Sequence, residues 1–173
     1  MLQQEKPRAC VHLSELQAYV RLETGDEEAL AAGLLRTSTE MCERYIGAAL
    51  MTRSFTEEIA AEPLGRRLSI TPVRSVTAVH LLGEAVELSP ERCSVVISAD
   101  GEAEVSSAEA GTRLIVSGTA GLADDPNHVP EPIRQGIVRL AASLFSNRDS
   151  LLGDIPASVT MLWRPYKRLS VAR

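Results

Sequence analysis

The sequence predicts an α+β fold that is mainly α: a helical bundle with a small antiparallel β region and an extended C-terminal tail. The bundle consists of a helical hairpin and a long helix in the C-terminal half. Apolar residues recur at helical spacing in two segments before residue 50 and in one after residue 130. Between residues 53 and 118, β-branched and polar residues alternate in short runs. Residues 157–173 have neither pattern, which indicates a tail.

Composition limits the class of protein. A chain of 173 residues suits one domain, and its 45% hydrophobic content supports a core built mostly from aliphatic side chains. The net charge of −5 argues against a protein that grips nucleic acid by its phosphates. Three widely spaced cysteines predict reduced thiols, and no apolar run reaches the ~20 residues of a membrane span. We therefore expect a soluble protein made in the cytoplasm.

The first helix is predicted over residues 14–22. Ser14 and Gln17 have the spacing of a capping box, in which each side chain bonds to the backbone N–H of the other residue. Gly25 is expected to interrupt the helical pattern.

The second helix is predicted over residues 26–49, with its start near Thr24 or Asp26. Acidic side chains at this end favour the positive end of the helix dipole. Small residues near Ala31 and Ala48 allow close helix–helix approach.

The β region is predicted over residues 53–118. Residues 73–81 alternate in the manner of a half-buried strand, and residues 93–97 and 112–117 are further β-branched runs. Residues 99–111 are rich in Asp, Glu, Ser, Ala and Gly, which favours an exposed loop or hairpin.

The long helix is predicted over residues 131–148. Pro130 and Pro132 suit its entry, where a missing N–H costs nothing, and Glu131 suits the dipole. Its apolar face consists of Ile133, Ile137, Leu140, Ala141, Leu144 and Phe145.

The tail divides the chain into a domain of residues 1–156 and a docking tail of residues 157–173. Its basic and aromatic residues are types that are frequent in binding hot spots: Trp163, Arg164, Tyr166, Lys167 and Arg168. Two interpretations stay open with equal weight. Either the tail docks on a partner, or its aromatic residues fold back on the parent core. Under the first, a chain truncated after Pro156 should keep its fold.

No motif for catalysis or metal binding is evident. His12, His80 and His128 are scattered, and residues 124–128 lack the spaced carboxylates of a calcium loop. Glu57 and Glu58 are adjacent on a predicted strand, so their side chains point to opposite faces. The sequence therefore predicts no catalytic, cofactor-binding or metal-binding residues.

Several short motifs occur in a characteristic order. A short helix and an acidic turn precede a long helix. Four more motifs follow it: a Y-x-G helix end at residues 45–53, P-x-x-S-V-x-x-V at 72–79, a glycine turn at 116–122, and V-P-x-x-I-R at 129–134. Together they resemble the head–tail connector (adaptor) proteins of tailed bacteriophages and gene transfer agents. Ala48 stands where the family frequently has Arg, and Leu122 replaces an aromatic residue.

The resemblance implies a structural protein of the virion neck, assembled in the bacterial cytoplasm. Such proteins form a ring, usually of twelve copies, below the portal protein. In such a ring, the small residues near Ala31 and Ala48 are expected at the contact between subunits. The ring extends the DNA channel and provides the platform for a stopper or tail-completion protein. The family has no enzymatic activity or cofactor, contacts no membrane, and lets DNA pass without sequence-specific binding.

Two binding surfaces are expected within that role. The basic and aromatic residues of the tail would bind the portal, and an acidic loop with Asp100, Glu102 and Glu104 would face the channel or the next tail protein. Alternatives are a non-enzymatic assembly chaperone or regulatory binding protein, a small enzyme with an unrecognised site, and a DNA-binding protein. The acidic balance opposes the last.

Overall fold

The computed structural model describes residues 1–5, 7–21, 27–84, 88–89, 91–109, 111–146 and 155–168. These residues belong to two compact units. The β unit comprises residues 1–6 and 52–122, and the helical unit comprises residues 7–51 and 123–173. The chain therefore passes from one unit to the other more than once.

The β unit contains two antiparallel sheets. Its strands are β1 (Leu2–Gln4), β2 (Arg53–Ala60), β3 (Arg66–Arg67), β4 (Val73–Leu81), β5 (Cys93–Ile97), β6 (Ala103–Ser107) and β7 (Arg113–Ala120). A four-stranded sheet has the order β1-β2-β7-β4, and a three-stranded sheet has the order β3-β6-β5. Strands β4 and β5 are thus edge strands of different sheets.

Alternation along the strands creates the core of the β unit. In β2 every second side chain is buried, including Phe55 and Ile59, and β7 follows the same period with Leu114 and Val116. A Cβ atom at Gly118 would lie 2.2 Å from the carbonyl oxygen of Ser75, so the close approach of β4 to β7 requires glycine there.

The helical unit contains α1 (Leu13–Val20), α2 (Glu28–Ile46), α3 (Glu131–Ser146) and α4 (Ala157–Trp163), with 3₁₀ turns at Pro126–His128 and Arg164–Tyr166. One apolar cluster joins the four helices. Within α3, the buried residues include Ile133, Ile137, Leu140 and Ala141, four of the six predicted for its apolar face, while Leu144 and Phe145 are partly buried. No helix among the described residues has the length and apolarity to cross a bilayer.

The α+β class is confirmed, but the description as mainly α is not, because strands build one of the two units. Two short elements were not predicted. Strand β1 lies in a segment expected to be irregular, and α4 lies in the predicted tail. Residues 99–111 were predicted to form a loop or a hairpin. Strand β6 within this segment pairs with β5, so the hairpin is the correct alternative.

The predicted helix boundaries need small corrections. Helix α1 begins at Leu13, and the reciprocal bonds at its start join His12 and Glu15, not Ser14 and Gln17: the His12 N–H donates to the Glu15 carboxylate at 3.2 Å. Helix α2 ends at Ile46 because Gly47, with φ of 72°, adopts the left-handed conformation that stops it. Thr24, Gly25, Asp26 and residues 147–148 lie outside the described residues.

Candidate partner-binding surfaces

Helix α4 begins after Pro156, whose carbonyl oxygen accepts the N–H groups of Val159 and Thr160 at 2.9 and 3.0 Å. Val159 and Trp163 are one helical turn apart and are both buried. Pro165 follows in a 3₁₀ turn, where its missing N–H does not interrupt the helix. The predicted tail is therefore an ordered part of the helical unit as far as Arg168.

Trp163 is fully buried in that unit. Its Nε1–H donates to the carbonyl oxygen of Ile133 at 3.2 Å, which satisfies the one polar group of the indole. A Cβ atom at Gly136 would lie 2.1 Å from Nε1 of Trp163. The absence of a side chain at Gly136 thus provides the space on α3 that the indole fills.

The chain after α4 is also attached to the C-terminal end of α2. The ring of Tyr45 lies 5.9 Å from the ring of Trp163, and Nζ of Lys167 lies 5.3 Å from the centre of the Tyr45 ring. The backbone N–H of Arg168 donates to the carbonyl oxygen of Ile46 at 2.8 Å. Positive groups at the negative end of a helix are electrostatically favourable.

The five predicted portal-binding residues therefore occupy different environments. Trp163 is in the core and Tyr166 is partly buried against it, whereas Arg164 and Lys167 are exposed and Arg168 is half-buried. Met161, which sequence reasoning did not select, is 74% exposed on the outer side of α4. The sequence signal for this exposure is spacing. Met161 lies two residues from both Val159 and Trp163, so its side chain points away from the buried side of α4.

The predicted acidic loop is the turn of the β5–β6 hairpin and its flanks. The turn is closed by the N–H of Gly101, which donates to Ser98 O at 2.9 Å. Arg67 on β3 lies 3.1 Å from the carboxylate of Glu102 and 4.0 Å from that of Glu104. Asp100 is exposed. The acidic charge of this surface is therefore partly neutralised by a cation that the sequence did not point to.

The described residues contain no group of His, Cys, Asp and Glu that is suited to hold a metal ion. All three cysteines are free and buried. Burial raises the pKa of Cys10 to about 12 and also raises that of Cys42 and Cys93. These thiols stay protonated near neutral pH, so they are poor nucleophiles.

An open groove of about 620 Å³ lies between the edges of β4 and β5 in the β unit. Both apolar and polar residues line it: Val76, Thr77, Ala78, Val79, Leu88, Ser89, Cys93, Val95 and Ile97. No described residue that lines it carries a formal charge at neutral pH.

The small residues that were expected at a subunit contact have different exposures. Ala31 is fully buried in the core of the helical unit, which uses it for packing inside the subunit. Ala48 is partly buried against the same core. Sequence reasoning did not find the groove, because the pattern of two consecutive strands does not show that they belong to different sheets and leave their edges unpaired.

Comparison with known proteins found no family model and no curated protein that matches this chain. Solved structures do match. A chain from the neck of an empty gene transfer agent particle, computed with C6 symmetry, is 24% identical over 99% of this chain and 97% of that chain, with a TM-score of 0.78. A chain from the neck of the native particle, computed with C12 symmetry, is 22% identical at the same coverage and TM-score.

A chain from the virion of the native gene transfer agent particle is 23% identical, also over 99% and 97% of the two chains, with a TM-score of 0.79. The similarity extends over both units. The predicted resemblance is therefore confirmed for the fold, which this chain shares with neck proteins of gene transfer agent particles.

Proposed function

We propose that this chain is a structural head–tail connector, or adaptor, in the neck of a tailed phage-like particle. The observation that carries the proposal is the match of nearly the whole chain to neck proteins at a TM-score of 0.78. Two of the similar neck structures were computed with C6 and C12 symmetry, which supports a ring, and we propose twelve copies.

In this proposal the ring lies below the portal protein, extends the DNA channel, and gives the stopper or tail-completion protein its attachment platform. In this role the protein is a structural component of the particle and catalyses no reaction. The net charge of −5 supports a channel wall that DNA slides past, since like charges keep the phosphates from binding.

The surface proposed to meet the portal is the outer side of α4 and the turn that follows it. Arg164 and Lys167 are exposed cations, Met161 is an exposed apolar side chain, and no acidic residue occurs in residues 157–168. Arg168 and Tyr166 continue this surface, while the buried Trp163 holds it from inside. A partner with an acidic surface around an apolar depression complements this arrangement.

The β5–β6 hairpin is the second proposed surface, facing the channel or the next tail protein through Asp100, Glu102 and Glu104. Replacing the three acids by lysine should change DNA retention in the particle or tail joining. Particles that retain DNA and join tails normally with all three replaced would remove this role. Arg67→Ala is the matched control, because it increases the net acidic charge of the same surface.

Native mass spectrometry of the chain, alone and mixed with the portal protein encoded nearby in its genome, tests the whole proposal. We expect a complex with one copy of this chain per portal subunit, whose mass gives the size of the ring. A chain that stays monomeric and ignores the portal contradicts the proposal. That result would favour the assembly-chaperone alternative.

Point variants test the portal surface more cleanly than truncation. A chain cut after Pro156 loses Val159 and Trp163 from the core of the helical unit, so its failure to bind would have two explanations. The double variant Arg164→Glu, Lys167→Glu should fold normally and bind the portal weakly. The control Arg36→Glu, Arg139→Glu makes the same charge change at exposed positions on α2 and α3 and should bind normally.

A further inference from the structure

Strand β5 forms one edge of the three-stranded sheet, and no described strand is bonded to its outer side. Its sequence, CSVVI, contains no charged residue and no proline. Val96 is 63% exposed and Ile97 is 38% exposed. Sheet edges are usually blocked by charged side chains, proline or a bulge, because an open edge can pair with another chain. Strand β5 lacks the first two of these protections.

The hairpin that joins β5 to β6 fixes which backbone groups of β5 point outward. The N–H of Ser98 donates to the carbonyl oxygen of Glu102 at 2.9 Å, directly beyond the last paired residues of the two strands. Bonded pairs recur at every second residue of an antiparallel ladder, so Val96 also directs its N–H and C=O to β6. The N–H and C=O groups of Val95 and Ile97 therefore point away from β6, to the open edge.

The bonds between β3 and β6 give the same assignment. The carbonyl oxygen of Ala103 accepts the N–H of Leu68 at 2.9 Å, so the odd-numbered residues of β6 direct their backbone to the β3 side. The even-numbered residues of β6 then face β5. No described residue forms a hydrogen bond with the outward N–H and C=O groups of Val95 and Ile97.

Val95 and Ile97 also line the open groove between β5 and β4. Apart from the hydroxyl groups of Thr77 and Ser89, the described side chains that line this groove contain no nitrogen or oxygen atom. Backbone groups therefore supply the rest of its polar surface. N–H and C=O groups at every second residue complement the backbone of another extended segment. A charged side chain buried there would find no described side chain of opposite charge.

The groove suits a single extended segment. Residues 76–79 of β4 form its opposite side, and its volume of about 620 Å³ lies within the range of about 300–1,000 Å³ that is typical of ligand sites. A strand that already belongs to a sheet would bring that sheet against β4. Pairing of β5 with β5 of a second copy would also be an isologous contact, which does not repeat around a ring.

We propose that the outer edge of β5 is a strand-addition site, where an extended, uncharged segment of a partner protein pairs with Val95 and Ile97. The segment spans about five residues, the length of β5, and extends the order β3-β6-β5 by one strand. Main-chain hydrogen bonds provide the affinity, and the alternate side chains of the segment contact the groove. The inference goes beyond the proposed function, because it requires neither the ring nor the portal.

Amide hydrogen exchange of the full chain, followed by NMR, tests the site with a defined probe. The probe is a hexapeptide of alternating threonine and valine with acetylated and amidated ends, which is uncharged and favours an extended backbone. In the free chain, the amides of Val95 and Ile97 should exchange fast and that of Val96 slowly. A probe at about ten times its dissociation constant leaves the edge free about a tenth of the time, so exchange at Val95 and Ile97 should slow about tenfold.

Three results would overturn the proposal. The first is that about 1 mM probe neither shifts nor protects the amides of Val95 and Ile97. The second is equal binding of a control peptide with proline at its two central positions, which would indicate a pocket for side chains. The third is protection that rises with protein concentration without the probe, which would make a second copy the occupant. None of these results affects the connector role, which native mass spectrometry tests separately.

Val95→Pro provides an independent test, because it removes an outward N–H and leaves the bonds to β6 in place. Proline is tolerated on an edge strand where the N–H faces solvent. The variant should bind the probe at least about tenfold more weakly, whereas the control Val95→Thr keeps the N–H and should bind as wild type does. Ile97→Pro and Ile97→Thr form a second pair at the end of the strand. A folded proline variant that binds with wild-type affinity overturns the site, and if neither proline variant folds, the exchange rates of the wild-type chain decide.

Discussion

Trp163 and Leu64 have opposite environments. Trp163 belongs to a basic segment for which docking and folding back on the core were both open, and it is buried to 0% exposure. Leu64 belongs to a Pro-Leu-Gly turn, and it is 94% exposed. The difference depends on what surrounds each side chain: Gly136 leaves space for the indole, whereas Leu64 lies in a turn whose Glu62 carbonyl accepts the N–H groups of Gly65 and Ser107.

The two units differ in the same way. The helical unit fills its interior with the largest side chain available and satisfies the indole N–H with a backbone carbonyl. The β unit leaves a groove open between two strand edges. A filled interior stabilises the chain by itself, whereas an open groove gains stability only from a partner.

Trp163→Ala should have the largest effect. Truncating a fully buried Trp costs about 3–5 kcal/mol, because both the transfer energy and the cavity contribute. Leu64→Ala, an equally drastic truncation of an apolar side chain, should change the free energy of unfolding by less than about 0.5 kcal/mol. Denaturant unfolding followed by circular dichroism measures both. Equal effects would remove the contrast between the two sites.

Gly136→Ala should have the next largest effect. The new methyl group meets the indole at 2.1 Å, and overpacking of this kind costs about 1–3 kcal/mol. Gly33→Ala on α2 is the matched control, since the nearest atom to its new Cβ is the end of the Arg36 side chain at 3.9 Å. That control should stabilise by roughly 0.5–1 kcal/mol through helix propensity. Opposite signs are the expected result.

The rates at which the cysteines are labelled test the difference between the filled helical core and the open groove. Cys93 should react with a thiol reagent before Cys10 and Cys42, because it alone lines the groove, and mass spectrometry of labelled peptides identifies the order. Labelling of Cys10 at the same rate as Cys93 would contradict a sealed helical core.

The pKa of Cys10 also predicts a pH dependence. Burial raises its folded pKa to about 12, above the value in the unfolded chain, so unfolding releases a proton once the pH exceeds roughly 8.5. The stability contribution is therefore complete below that pH and is lost as pH rises towards 12. Unfolding curves between pH 8 and 10 should show a smaller decline for Cys10→Ala than for wild type.

Lys167→Met should have the smallest effect. It removes the ammonium group 5.3 Å from the Tyr45 ring but keeps the aliphatic chain, and an exposed cation–π contact contributes about 0.5–1 kcal/mol. Arg164→Met is the matched control, an exposed cation for which the described residues show no such ring contact. A loss of stability at Arg164 and none at Lys167 would contradict the proposed attachment of this segment to α2.

The sequence was most informative where the pattern is long and local. Helix α3 begins at Glu131, as its two prolines and apolar period predict, and most of the predicted apolar face is buried. The alternation of residues 73–81 corresponds to β4 over its full length. These signals are strong because each residue's environment depends mainly on neighbours along the chain.

The missed features have different causes, and only one of them depends on residues that are distant in the sequence. Strand β1 is only three residues long and exists through pairing with residues 55–57 of β2. A tail was predicted for residues 157–173 because they show no long periodic pattern. The i, i+4 pair Val159 and Trp163 was the signal for α4, and Pro165 follows the end of that helix. The capping pair His12 and Glu15 was missed because histidine is an uncommon N-cap residue.

The interleaved connectivity has a consequence for synthesis on the ribosome. The β unit has all its strands once residue 120 has been made, whereas the helical unit, although it starts at residue 7, lacks an essential part of its core until Trp163 emerges. Helices α1 and α2 therefore lack their packing partners α3 and α4 while the β unit is translated. The basic surface around Arg164 and Lys167 takes shape in the same step that completes the core.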